Sequence, residues 1–184
     1  MDYGGKEEMK TGVLCFAAVL AAAGIFFGGC GPKDKGETDN WGQDTLSSDG
    51  RFMGSAEEMQ GFDFSEGRIR FEIPVIGGGV LDMAVEPLVS GGQAVGANLT
   101  APSQLAAFYE MGNTYLENIT EAPPEGYFPT APVISGYSYC VLTTEGKYAK
   151  IYIVDSAYGV REGGAPYAWI RFDWVFQEDG GRNF

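Results

Sequence analysis

The chain contains no histidine, which removes much of the chemistry a domain of its size could carry. Without an imidazole there is no usual base to activate a serine or cysteine nucleophile, and the commonest nitrogen ligand for zinc is missing. Three cysteines remain, at positions 15, 30 and 140. Cys140 sits inside an apolar strand pattern and reads as a small buried hydrophobe rather than a reactive thiol. Carboxylates are plentiful, with 25 Asp and Glu, but no spacing singles out two as the acid and base of a glycosidase. Ser48-Asp49-Gly50 and Glu178-Asp179-Gly180 lack the spacing of a calcium loop and read as turns. Gly77-Gly78-Gly79 lacks the Gly-Lys-Thr that would make it a phosphate cradle. Binding is therefore expected rather than catalysis. Two groups of residues could carry it. Met83 and Met111 carry soft thioethers, although a methionine more often fills a gap in a core. Trp169, Arg171 and Asp173 alternate along one strand, so an indole that stacks on a sugar ring would stand beside hydrogen-bonding groups.

The N-terminal stretch decides where such a domain would work. Lys10 supplies a positive flank, Val13 to Phe27 is an uninterrupted run of apolar and small residues, and Phe27-Gly28-Gly29 leads into Cys30. A run this short, weakened by Gly24, Gly28 and Gly29, suits a cleaved secretory signal better than a membrane-spanning helix, which needs roughly 20 apolar residues. Small residues directly ahead of a cysteine resemble the bacterial lipobox, with Phe27 where that motif usually has Leu. The resemblance implies cleavage before Cys30 and lipid on its sulfur. Glu7 and Glu8 are unusual in a signal, whereas a start at Met9 gives Met-Lys-Thr-Gly-Val-Leu, so translation is expected to begin there. The expected organisation is a signal over residues 1–29, a lipidated Cys30 with a flexible tether over 30–50, and a binding domain over 51–184. Localisation is expected at the outer membrane or cell surface, since Gly31 stands where an Asp would retain the lipoprotein at the inner membrane.

The formal net charge is -13, and loss of residues 1–29 leaves -12. Nucleic acid and anionic lipid headgroups are thus poor candidates as partners, being repelled by this charge. With Cys15 in the signal and Cys30 lipidated, Cys140 has no partner for a disulfide. The segment after the signal keeps all three Trp and nine of the ten Tyr, an aromatic load that suits a folded β domain.

These residues need elements to position them. Gly61 to Phe64 and Arg68 to Ile73 read as two strands about a Ser65-Glu66-Gly67 turn, with Ile69, Phe71 and Ile73 facing the core. Val80 to Leu88 and Ala94 to Leu99 are further strands around Gly91-Gly92. A short helical turn is expected over Met53 to Met59. Leu105, Phe108, Tyr109 and Gly112 fit helical spacing after Thr100 and Pro102, and Tyr115, Leu116 and Ile119 continue it, which predicts one α-helix. The proline-rich stretch from Ala122 to Pro132 is extended. Tyr137 to Thr143, Lys147 to Val154 and Tyr167 to Gln177 alternate at period two and form an antiparallel meander, with Ile170, Phe172, Trp174 and Phe176 as its core face. The fold class is a mostly β, antiparallel sandwich-like single domain with one α-helix.

The hairpin Gly146-Lys147-Tyr148-Ala149-Lys150-Ile151 and the closing run from Phe172 to Phe184 resemble the C-terminal half of HmuY-like lipoproteins, a bacterial haem-binding family with a mostly β fold. Leu81-Asp82-Met83-Ala84-Val85 is similar to a Trp-Asp segment of that family, without its Trp. The resemblance implies capture of haem or another small planar or apolar ligand. It also makes Met83 and Met111 the pair to consider, because the His ligands used in the family are absent here. A carbohydrate-binding or adhesion role through Trp169, Arg171 and Asp173 is the alternative.

Overall fold

In the computed structural model, which describes residues 40–48, 58–73 and 78–184, the alternating segments become strands. Among the described residues these are β1 (Trp41–Ser48), β2 (Met59–Asp63), β3 (Arg68–Glu72), β4 (Ala84–Ser90), β5 (Gln93–Thr100), β6 (Ala107–Gly112), β7 (Thr130–Pro132), β8 (Ser138–Leu142), β9 (Tyr148–Val160) and β10 (Pro166–Gln177). A single 3-10 turn, Leu116–Asn118, lies between β6 and β7. All of them belong to one compact unit spanning residues 36–184. The expected signal, Cys30 and the expected tether up to residue 39 lie outside the described residues, as does most of the turn expected over Met53 to Met59.

The meander organises the molecule. A five-stranded sheet runs in the order β1-β10-β9-β8-β6, all antiparallel. A second layer is built from the three-stranded sheet β4-β5-β7 and the β2-β3 hairpin. In it β4 lies over β1 and β10, and β5 over β9. Strict alternation along β10 aims Ile170, Phe172, Trp174 and Phe176 between the layers, where all four are buried. Phe62 of β2 meets Phe172 and Trp174 edge to face, at ring separations of 5.2 and 5.3 Å. Each such buried aromatic contributes on the order of 2 to 3 kcal/mol. Close approach at this point needs Gly61, because a Cβ there would stand 2.7 Å from Leu81 Cδ1 and 3.0 Å from the Met83 carbonyl oxygen.

Three expectations are corrected. The α-helix after Thr100 is absent: residues 107–112 are β6, paired with β8, and the segment beyond it holds only the 3-10 turn. Phe108 faces the central core while Tyr109 faces away from it, so the residues alternate as in a strand. A helix there would leave the edge of β8 uncovered. The tether does not extend to Gly50, since Trp41–Ser48 pair with β10 along their whole length. In β3 only Ile69 packs against the core; Phe71 and Ile73 are exposed, and Arg70 turns inward to Asp63 at 3.1 Å.

Candidate functional site

The outward face of the five-stranded sheet collects the residues with chemistry. Alternation that buries one side of β10 must present Trp169, Arg171, Asp173 and Val175 on the other, and these expected residues share that face. Register then sets their neighbours. Trp41 stands opposite Val175 and Gln43 opposite Asp173 on β1, while Tyr152 stands opposite Asp173 on β9. Gln43 Nε2 donates to Asp173 Oδ1 at 2.6 Å. Arg171 pairs with Asp155 across 3.8 Å, an exposed ion pair that adds little stability.

A groove of about 400 Å3 opens at the β1 end of this face. Its walls are Trp41, Gln43, Leu116, Asp173 and Val175, with Gly42 and Trp174. The Trp41 indole is 71% exposed at the rim, an unusual position for a residue that normally buries most of its area. Tyr115, also exposed, leans on Tyr152 with ring centroids 5.7 Å apart. The lining is thus apolar with a few hydrogen-bonding groups, a composition common to small-molecule sites.

Leu116 reaches the groove because a lysine holds its turn. Lys150 is buried, and its Nζ donates to the carbonyl oxygens of Leu116 and Ile119, both at 2.8 Å. The ammonium also lies 4.7 Å from the centre of the Phe184 ring. Burial pulls this lysine below its ordinary pKa, partly opposed by Cys140 and Glu117. Cys140 is directly opposite Lys150 on β8, and burial pushes its thiol up to about 12, so it stays a neutral thiol in a small second cluster with Ile119 and Ala122.

The methionine pair is not brought together. Met83 is fully buried in the central core, whereas Met111 packs on the second cluster, on the other side of the sheet. Both fill space between side chains. Among the described residues no group of three His, Cys, Asp or Glu could hold a metal ion.

Sequence reasoning passed over two parts of this arrangement. One is the groove wall on β1, whose mixed residues carry no pattern apart from Trp41. The other is Asp82, which is buried and accepts from Phe64 N at 2.9 Å, Thr144 N at 2.7 Å and Thr144 Oγ1 at 2.9 Å. It joins the β2-β3 turn to the β8-β9 turn. Burial raises its pKa to about 6, against the lowering effect of those three bonds and with a further push from Asp63. Both oxygens serve the fold, so the Leu81-Asp82-Met83 segment is a structural clasp. No protein-family model matches the chain, and no curated protein does.

Proposed function

We propose that the domain is a binding module that holds a saccharide ring in the groove beside Trp41, as a lipid-anchored protein on the outer membrane or cell surface. The exposed Trp41 indole at the rim of an otherwise apolar groove carries this reading. A pyranose offers an apolar face to an indole and hydroxyls to neighbouring polar groups. Asp173 and Gln43 lie next to the indole and are already oriented by their mutual bond, so little ordering is needed on binding. Haem capture is the weaker reading, because Met83 and Met111 face different clusters and the chain has no His. The anchor rests on the lipobox-like segment ahead of Cys30.

A glycan array probed with the full-length protein tests the reading. Saturable binding to at least one neutral glycan is expected, with Trp41→Ala weakening it at least tenfold and leaving the thermal midpoint within a few degrees of wild type. An array that stays blank, together with a saturable Soret shift on haem titration, would reverse the preference between the two ligand classes.

A further inference from the structure

The groove is one end of a longer stripe. Along the outward row of β10, position 175 faces Trp41, and six residues back stands Trp169, partly exposed, with Tyr167 two further on. At about 3.3 Å per residue, Trp169 and the Trp41 position are roughly 20 Å apart. Between them lie Arg171, Asp155, Asp173 and Gln43, all on the same face. Tyr167 has an unusual seat. It pairs with Gly159, and a Cβ on that glycine would come within 3.0 Å of the Tyr167 ring, so the ring lies across the β9 backbone where any larger residue would lift it. The Arg161 guanidinium, 5.7 Å from the ring centre, supports it further. Aromatic surfaces therefore stand at both ends of a stripe, with hydrogen-bonding groups in the middle. A single ring would use only one end.

We infer that the ligand is a linear, neutral oligosaccharide laid along β10, with one unit on Trp41 in the groove and a distal unit on Trp169 and Tyr167. This rests on the saccharide reading of the groove and extends it to the length and charge of the ligand. Charge on the stripe is balanced, Arg171 and Arg161 against Asp155 and Asp173, with Arg171 paired to Asp155, Arg161 set on the Tyr167 ring and Asp173 bonded to Gln43. The net charge, -13 for the whole sequence, would repel an acidic polysaccharide, and the stripe offers it no excess of cations.

The test is calorimetric titration of the full-length protein in detergent micelles with neutral gluco-, xylo- and manno-oligosaccharides of two to six units, and with oligogalacturonate as the acidic comparison. Affinity for the recognised series is expected to rise at least tenfold from dimer to hexamer, with oligogalacturonate failing to bind. Trp169→Ala and Tyr167→Ala each remove most of that gain and leave the dimer unaffected, whereas Trp41→Ala removes both. Equal affinity at all lengths, or a hexamer indifferent to Trp169→Ala, would overturn the extended site while the groove reading stands. Failure of every neutral series would overturn both.

Discussion

Asp82 holds three donors from two different turns, and its protonation ties the stability of the fold to pH in the acidic range. Its pKa rises from an ordinary 3.8 to about 6. Between those values the folded protein keeps a proton that the unfolded chain has lost. The contribution is therefore fully present below about pH 4 and disappears as pH rises through 6, amounting to about 3 kcal/mol at about 1.36 kcal/mol per pH unit. Denaturant melts of wild type and Asp82→Asn at successive pH values should give a stability difference that falls across this window; a difference that grows with pH would refute the assignment. The same residue shows the limit of reading a sequence. Asp82 was visible as part of a family-like segment, but its partners at positions 64 and 144 come from turns distant along the chain, and only the packed sheets bring them together. Trp169, Arg171 and Asp173 were legible because a period of two fixes which face a side chain takes. The pairing of Asp173 with Gln43 was not, because register between β1 and β10 leaves no trace in either strand alone.

At the level of elements, strong alternation in β8 to β10 made the meander readable, and the segments that misled were those with mixed signals. Leu105, Phe108, Tyr109 and Gly112 fit a helical stripe on paper, yet a strand satisfies Phe108 and Tyr109 better by burying one on each side of the sheet. Tertiary pairing overrides local preference in such short runs. β1 was hidden for another reason: Gly42, Asp44 and Ser48 occupy its inward positions beside Leu46, so its sequence looks like linker. Its hold on the fold comes from the β10 ladder and from the bond of Trp174 Nε1 to Asp44 Oδ2 at 2.9 Å. The 3-10 turn depends on Lys150 in a similar way. Lys150→Met would leave the carbonyls of Leu116 and Ile119 without that donor in a buried setting, a loss of about 2 to 4 kcal/mol. Hydrogen exchange should quicken at Asn118, Ile119 and Ala122 while β9 and β10 stay protected, and saccharide affinity should fall as the Leu116 wall loosens. Unchanged exchange at those amides would show that the turn holds without the lysine.

For the whole molecule, the sandwich was legible from composition and alternation, while the address rests on the N-terminal segment alone. Mass spectrometry of protein extracted from membranes of a bacterial host should find a chain beginning at Cys30 with diacylglycerol on its sulfur. Cys30→Ser should leave a precursor without lipid, and recovery of intact peptides from the Met9 to Phe27 segment in the wild-type protein would remove the anchor from the proposal. The chain enters the sandwich at Asn40, whose carbonyl accepts from Phe176 N at 2.7 Å, and the first ladder pair, Trp41 with Val175, follows at once. A pull on the preceding segment is therefore applied at the end of β1, and one directed away from β10 across the sheet opens the ladder pair by pair, the weakest direction in which a strand can be loaded. A sugar seated against both Trp41 and Asp173 would bridge the two strands at the point where peeling starts, so the grip on the ligand and the mechanical strength of the domain would rise and fall together.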